Sequence, residues 1–257
     1  MTIAKSAASI EIINDINEEI VNFYKQLRDH GDDLLLKIEL TPYARAELQL
    51  SRMPVKGISD LERARRFFIT AMMAVNGSFG TAKGGFSISN SYSRNGMEAR
   101  VNRWHGVPEY LMKVVDRLRS VRVENKDAIA LFEEFSNRPA TLVYLDPPYL
   151  GKRARGYDHD ANSEEFHEKL LTVVLKAKCM VFISGYESKL YNSLLTEKAG
   201  WKKETLPAIT KGNNGKCFPR SEVIWFNQVY LEAKRTRQIP LRLTKKEEKD
   251  RKVNPVR

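Results

Sequence analysis

The chain has 257 residues, of which 42% are hydrophobic and 29% are charged, as in an ordinary folded globular protein. A chain of this length can form one α/β domain with an insertion. Its apolar runs are far too short to span a membrane, and its two cysteines and four histidines are not spaced as metal ligands or as a disulfide framework. We therefore expect a cytoplasmic protein that binds no metal, and the net charge of +11 favours a polyanionic partner.

The N-terminal region predicts a strand followed by a helix. Ile10–Ile13 is a short apolar run that suits a buried strand, and from Glu18 to Arg28 the apolar residues recur on one helical face. Asp15 lies between these two elements. It either caps the helix or, as an acid at the carboxyl end of a strand, accepts hydrogen bonds from a ribose diol, as such acids do in nucleotide-binding sheets.

Three more helices are predicted before residue 75. They are Asp32–Leu40, a helix that begins at Thr41-Pro42 with Thr41 as its N-cap, and Asp60–Ala74. The last of them carries a cluster of three arginines, including Arg65, among its apolar positions.

The segment Asn76–Gly96 differs in composition from the helices around it, because it is rich in glycine, serine and asparagine with interleaved aromatic residues. We expect a loop or irregular hairpin with basic residues, Lys83 and Arg94, at its tips. A second basic cluster joins Arg94 to Arg100 and Arg103. Such a surface suits sugar-phosphate contacts and the wedging of bases, although an ordinary flexible loop would have the same composition.

A helix over Pro108–Leu118 is followed by a predicted strand at Val121–Val123 and a helix over Lys126–Phe135. Asn125 and Asp127 stand at the end of that strand. They therefore occupy the same kind of position as Asp15.

The sequence TLVYLDPPY at Thr141–Tyr149 combines a strand with an unusual ending. Leu142–Leu145 is apolar and suits a buried parallel strand, and the two prolines that follow cannot continue a hydrogen-bond ladder. The strand must end in a stiff loop with one carboxylate, Asp146, and one aromatic ring, Tyr149. A carboxylate and a neighbouring carbonyl can accept both hydrogens of an exocyclic amino group, while the ring stacks on the base that carries it. A turn with a surface tyrosine is the alternative.

The remaining elements are a helix capped at Asn162 or Ser163, one further helix, three strands and a charged tail. The predicted bounds are Ser163–Ala177 and Glu187–Lys198 for the helices, and Cys179–Ser184, Trp201–Leu206 and Glu222–Phe226 for the strands. We expect His159 and His167 to be surface or packing residues. Residues 231–257 contain ten basic and four acidic side chains and are expected to form a disordered tail.

Together these stretches resemble the Dam-type adenine-specific DNA methyltransferases. The DPPY tetrapeptide is shared with other amino methyltransferases, whereas NDIN followed by an insert and then DPPY is more specific. The matching stretches, in the order of the family, are IEIINDIN (Ile10–Asn17), NFYKQLRDH (Asn22–His30), ELTPYARAEL (Glu39–Leu48), VRVENKDA (Val121–Ala128), LVYLDPPY (Leu142–Tyr149), FISGYESKLY (Phe182–Tyr191) and EVIWFN (Glu222–Asn227).

The resemblance implies a Rossmann-like α/β sheet that binds S-adenosylmethionine, with a mostly helical DNA-recognition insert. The catalytic domain would comprise residues 1–41 and 119–230, the insert residues 42–118 and the basic tail residues 231–257. Asp15 matches the acid that holds the cofactor ribose, and Asp127 lies near the position that approaches the cofactor adenine. The candidates for DNA contact are Arg65, Lys83, Arg94, Arg100 and Arg103.

Asp146, Pro147, Pro148 and Tyr149 match the catalytic tetrapeptide of the family. Asp146 and the Pro147 carbonyl would hold the adenine amine, Asp146 would also face the reactive end of the cofactor, and Tyr149 would stack on a base flipped out of duplex DNA. No covalent intermediate with the base is needed.

The family also has a strand with a glycine-rich cofactor loop ahead of the stretch that matches IEIINDIN, which here begins nine residues after Met1. We therefore expect the catalytic domain to be incomplete at its N-terminus. Three alternatives stay open: a start that omits the front, a second polypeptide that supplies it, and a degenerate protein that binds DNA without methylating it.

Overall fold

The computed structural model describes residues 8–75, 84–91, 96–150, 163–211 and 217–239. These residues form two compact units, one from 8 to 128 and the other from 129 to 150 and from 163 to 239. Both units contain helices and strands, so the predicted mixed α/β class is confirmed. Within the described residues, no helix combines the length and the apolar character that a membrane crossing requires.

The unit from 8 to 128 contains one pair of parallel strands. Strand β1 (Glu11–Asn14) pairs with β2 (Val121–Glu124), so that both strands end at the same edge. The helices between them are α1 (Glu18–Asp29), α2 (Gly31–Glu39), α3 (Arg45–Ser51), α4 (Asp60–Met73), α5 (Ala99–His105) and α6 (Val107–Leu118). Helix α1 packs against α4, and α2 packs against α6.

Helices α1 and α4 form where the sequence predicts them, because their caps and their apolar spacing agree. The Asn17 side chain accepts hydrogen bonds from the first turn of α1, and Ser59 caps α4 through the N–H of Glu62. On their inner faces, Phe23 of α1 stacks on Phe68 of α4 with ring centroids 5.2 Å apart. The caps and the packed aromatic faces therefore agree with the predicted bounds of α1 and α4.

This unit differs from the predictions at three points. The helix predicted to begin at Thr41 begins only at Arg45, because the Thr41 hydroxyl instead donates to the carbonyl of Lys37 at 2.7 Å and closes α2. Helix α5 was not predicted, and its Trp104 anchors it by donating to the Thr41 carbonyl at 2.8 Å. Strand β1 is also half-buried rather than buried.

The second unit is built on a mixed sheet in the order β3–β4–β6–β5. Strand β3 (Leu142–Leu145) is parallel to β4 (Met180–Tyr186), whereas β6 (Cys217–Asn227) is antiparallel to both β4 and β5 (Trp201–Lys211). The helices are α7 (Ala128–Ser136), α8 (Glu164–Val174), α9 (Lys189–Leu194) and α10 (Gln228–Arg235).

The core of this unit lies between the sheet and helices α7, α8 and α9. Phe132, Leu171, Ile183 and Trp225 are among its buried members, and burying a side chain of this size stabilises a fold by about 1.5–3 kcal/mol. Asn227 closes the sheet at one end, since its buried amide binds the carbonyl of Cys179 and the N–H of Val181.

Two expectations for the second unit also need correction. Strand β3 was expected to be buried, but it is half-buried and Leu142 is 36% exposed, because β4 is its one hydrogen-bonded neighbour among the described residues. Residues 231–235 were assigned to the disordered tail, but they continue α10, which buries Ala233. Residues 240–257 lie outside the described residues.

Candidate active site

The Asp-Pro-Pro-Tyr loop leaves β3 beside the carboxyl-terminal half of β4. The parallel register pairs Tyr144 with Phe182 and Leu145 with Ile183, so the next residue, Asp146, comes level with Ser184. Prolines have no N–H, so the middle of the loop can be fixed only through carbonyls and side chains. The four residues predicted as catalytic thus stand at the carboxyl end of a parallel strand.

The Asp146 carboxylate is held on one side by a chain of hydroxyl groups. Ser184 Oγ donates to Asp146 Oδ1 at 2.7 Å, and Tyr144 Oη, 3.0 Å from Ser184 Oγ, donates to it in turn. Ser184 is buried, whereas Asp146 is exposed. Ser184 thus orients the Asp146 carboxylate through Oδ1, while the side chain as a whole stays exposed to a ligand.

Tyr149 is half-buried and is held by a second tyrosine. Its ring meets that of Tyr186 edge-on, with centroids 4.6 Å apart and planes 77° apart, an arrangement that aromatic pairs favour. Burial raises the pKa of Tyr149 to about 12; a hydrogen bond with Ser184 opposes this rise, and the negative charges of Asp146 and Glu222 add smaller contributions to it. Tyr149 is therefore a neutral ring at physiological pH.

The third anchored member of the loop is Pro148. His167 is 1% exposed, and its Nε2 lies 3.0 Å from the Pro148 carbonyl oxygen while its Nδ1 lies 2.8 Å from the Tyr191 hydroxyl. Of the two places expected for His167, packing is confirmed and the surface is wrong. His159 lies outside the described residues.

Asp15 lies in the other compact unit, in the loop that follows β1. Its Oδ1 accepts the N–H of Asn17 at 2.9 Å, and the cap of α1 is Asn17 rather than Asp15 or Asn14. Among the described residues, none donates a hydrogen bond to Asp15 Oδ2. Ile16, immediately beside it, is 49% exposed. The loop therefore offers a carboxylate oxygen next to an apolar side chain.

Asp127 is brought to the neighbourhood of Asp15 by hydrogen bonds between the two strand-end loops. Asn125 Nδ2 donates to the Asp15 carbonyl at 2.8 Å, and Asn14 exchanges two hydrogen bonds with the backbone of Lys126. Asp127 itself is exposed and directly precedes α7. The sequence placed both acids at strand ends, and the structure joins their loops within one unit.

Comparison with protein families shows to which family the chain that carries these loops belongs. A profile of the D12 class N6 adenine-specific DNA methyltransferases matches residues 2–207. The chain belongs to this family. The match confirms the resemblance to Dam-type enzymes and includes both Asp15 and the DPPY loop. A comparison with curated proteins finds no match.

Three of the five basic residues predicted to contact DNA are Arg65, Lys83 and Arg94. Arg65 is occupied within its own unit, because its guanidinium pairs with Glu62 at 2.9 Å and with Glu47 at 3.2 Å, and its side chain is only 16% exposed. Its predicted contact with DNA is untested, and its observed contacts join α3 to α4. Lys83 and Arg94 lie outside the described residues.

Arg100 and Arg103 lie near an aromatic cluster on the same unit. Burial raises the pKa of Tyr43, while its hydrogen bond to the Ser87 carbonyl and the positive charges of Arg100 and Arg103 oppose this rise. The ring of Tyr43 contacts that of Phe86, with centroids 5.0 Å apart, and the guanidinium of Arg45 lies 5.1 Å over Phe86. Arg45 was missed in the sequence because no basic neighbour marks it.

Sequence reasoning also missed Ser184 and His167. Ser184 could have been found by aligning β3 and β4 as parallel neighbours, since it sits level with Asp146 in that register. His167 gave no such signal, because its partner, Pro148, lies 19 residues away in the sequence. Within the described residues, no group of three or more histidine, cysteine or acidic side chains is arranged to hold a metal ion.

Proposed function

We propose that the chain transfers a methyl group from S-adenosylmethionine to the N6 amine of adenine in duplex DNA, after the base is flipped out of the helix. The observation that carries this proposal is the DPPY loop. It combines an exposed carboxylate, which Ser184 orients through one oxygen, with the restrained neutral ring of Tyr149.

Adenine's amine is a poor nucleophile because its lone pair is delocalised into the ring. Asp146 Oδ2 and the Pro147 carbonyl can accept its two hydrogens and so favour a pyramidal nitrogen whose lone pair points at the incoming methyl. As the nitrogen gains positive charge, the negative carboxylate stabilises the transition state more than the ground state. Because Ser184 fixes the other oxygen, the carboxylate needs no reorientation during the reaction.

Tyr149 supplies a flat neutral face on which the flipped base stacks. Its contact with Tyr186 at 4.6 Å leaves no room for a base between the two rings, so Tyr186 orients Tyr149 and does not form a second wall. Holding the base and the methyl donor in register can lower a barrier by roughly 7–11 kcal/mol.

The donor set around Asp15 fits the nucleoside end of S-adenosylmethionine. The available Asp15 oxygen would accept hydrogen bonds from the ribose hydroxyls, and the exposed side chain of Ile16 would cover an apolar face of the adenine. Asp127, held nearby through Asn125, would approach the exocyclic amine of the cofactor adenine. When bound, the cofactor supplies a methyl group made electrophilic by its sulfonium.

The proposed DNA contact includes Arg100 and Arg103, as predicted, together with Arg45. Arg45 and Arg103 are exposed, and none of the three forms an ion pair with the described residues. Unpaired guanidinium groups around an aromatic cluster suit phosphate contacts, which hold DNA without reading its sequence. Replacing all three by alanine should weaken DNA binding and flatten its salt dependence, while the stability of the fold changes little.

The direct test uses a host strain that lacks N6-methyladenine, because its genome contains every short recognition sequence. Expression of the chain should produce N6-methyladenine, but not N4-methylcytosine, in nucleosides from digested genomic DNA. The Asp146→Ala variant should produce neither. Methylated cytosine in place of adenine, or equal methylation by the variant, would contradict the proposal.

The second candidate is a protein that binds DNA but needs another polypeptide for catalysis. The observation that favours it is the edge of β3, because parallel strands are normally covered on both sides and β3 pairs only with β4 among the described residues. This candidate predicts that the purified chain binds duplex DNA without binding S-adenosylmethionine. Cofactor binding by the purified chain alone would exclude it.

A further inference from the structure

His167 is a buried titratable residue that the proposed transfer of a methyl group does not use. It lies in α8, is 1% exposed, and contacts the Pro148 carbonyl with one ring nitrogen and the Tyr191 hydroxyl with the other. A buried imidazole with both nitrogens engaged is restrained in position and in orientation. Its hydrogen bond to Pro148 therefore indicates a role in the DPPY loop in addition to core packing.

The partners of His167 determine where its proton lies. A carbonyl oxygen can only accept, so Nε2 must carry the hydrogen and donate to Pro148. In the neutral ring Nδ1 is then an acceptor, and the Tyr191 hydroxyl donates to it. Burial raises the pKa of Tyr191 well above its ordinary value, so this donor keeps its proton.

Between Asp146 and Tyr149 the backbone has one torsion that the two prolines leave free. The ring of each proline fixes φ, and a residue that precedes proline is restricted to extended values of ψ. Asp146 precedes Pro147, and Pro147 precedes Pro148, so both are restricted in this way. Between the Asp146 carbonyl and the Tyr149 N–H, ψ of Pro148 is therefore the torsion that the prolines leave free, and it sets the plane of the peptide that leads into Tyr149.

We propose that His167 is a positioning residue, which fixes ψ of Pro148 by binding its carbonyl and thereby sets the direction of the Tyr149 ring. The hydrogen bond acts on the one torsion that the two prolines do not control. Tyr186 then restrains the ring itself from the side. The structural part of this inference stands on the geometry alone, and its catalytic consequence rests on the proposed function.

Two substitutions separate the two bonds of His167. In His167→Gln the amide N–H can reach the position of Nε2 and donate to Pro148, so the anchor is retained. In His167→Asn the shorter amide remains near Tyr191 but cannot reach Pro148, so the anchor is lost. Both variants place a polar amide in the same buried position, which makes them a matched pair for stability.

The first readout is the nuclear magnetic resonance spectrum of the full chain with labelled tyrosine rings, in which Tyr149→Phe assigns the Tyr149 signal. The edge contact with Tyr186 should displace that signal from the value of an exposed tyrosine, for which Tyr110, 68% exposed, is the internal reference. His167→Gln should keep the displacement, whereas His167→Asn should move it towards the reference. An unchanged Tyr149 signal in the asparagine variant would overturn the proposal, whether or not the chain methylates DNA.

The second readout is kinetic and applies once the wild-type chain is shown to methylate DNA. His167→Asn should lower kcat by about 10- to 100-fold at unchanged KM for the cofactor, because a misdirected ring misplaces the base. His167→Gln should remain within a few-fold of the wild type. Equal losses of kcat in both variants, in proportion to their lowered Tm, would show that His167 only packs. A wild-type chain without activity would contradict the proposed function and leave the spectroscopic result to decide the role of His167.

Discussion

The two strand-end loops of this protein are fixed in different ways. The loop that carries Asp15 is held by a local turn, which Asp15 forms with Asn17, and by hydrogen bonds of Asn14 to the backbone of Lys126, 112 residues away. The DPPY loop is held by side chains far away in sequence. Ser184 binds Asp146 across 38 residues, and His167 binds Pro148 across 19.

The difference follows from what each loop can donate. Asn17 and its neighbours have N–H groups, so the Asp15 loop forms a local turn, and hydrogen bonds with Asn125 and Lys126 of the loop after β2 add to it. Two consecutive prolines remove these donors, so the DPPY loop needs donors from β4 and α8. A loop of this kind has few local hydrogen bonds and depends on the packing of its whole unit. Because no local turn uses its acceptors, the Asp146 carboxylate and the Pro147 carbonyl can bind a substrate.

The largest effect on methyl transfer is expected from substitution of Asp146 in the DPPY loop. Asp146→Ala removes the available acceptor and the negative charge, so kcat should fall on the order of 10³-fold, as for loss of an oriented group in a catalytic site. DNA affinity should stay near the wild-type value. Asp116→Ala removes an exposed carboxylate of α6 and serves as the control. A methylation rate in Asp146→Ala equal to that of the control would remove Asp146 from the mechanism.

A smaller loss is expected when the support of Asp146 is removed. Ser184→Ala leaves the carboxylate in place but without its 2.7 Å hydrogen bond, so kcat should fall by about 10- to 100-fold. Ser193→Ala is the matched control, because Ser193 is an exposed serine of α9 that binds a carbonyl of its own helix. The rate of single-turnover methyl transfer is measured for both variants. Equal rates would show that Asp146 does not need the hydrogen bond from Ser184 for its orientation.

The unit that carries Asp15 should respond to pH through Glu62. Hydrogen bonds from Arg65 and Arg66 lower the pKa of Glu62 from 4.5 to about 2. A carboxyl whose folded pKa is depressed contributes stability above pH 4.5 and loses it as the pH falls towards 2. The contribution should be about 1–2 kcal/mol after solvent screening. Urea unfolding should show this loss in the wild type, while Glu62→Gln should show a flatter dependence over that range.

The smallest effect is expected at the N-cap of α1, where a substitution next to the Asp15 loop should change stability but not kcat. Asn17→Ala removes the acceptor for two N–H groups of the first turn, so the free energy of unfolding should fall by about 1 kcal/mol. The kcat should remain unchanged, because the Asp15 loop keeps its other bonds. A large loss of kcat without loss of stability would show that this loop is as finely coupled to catalysis as the DPPY loop.

The sequence predicted the elements whose signals are local. Helices α1 and α4 and strand β3 were found because periodicity, caps and the two prolines all lie within a few residues of the elements that they define. Thr41 was misjudged because its hydroxyl closes α2 instead of opening α3. The supports of the DPPY loop could not be predicted in the same way, because His167 meets Pro148 only after α8 has packed on the sheet.

The most direct test of the account is calorimetric binding of S-adenosylmethionine to the purified 257-residue chain, because it requires no knowledge of the recognition sequence. Asp15→Asn is the control, since asparagine keeps the turn to Asn17 but loses the charge offered to the ribose. We predict binding in the micromolar range that is weakened at least about tenfold in the variant, as for loss of a hydrogen bond to a charged group. No binding by the wild-type chain would contradict its assignment as a methyltransferase that acts alone.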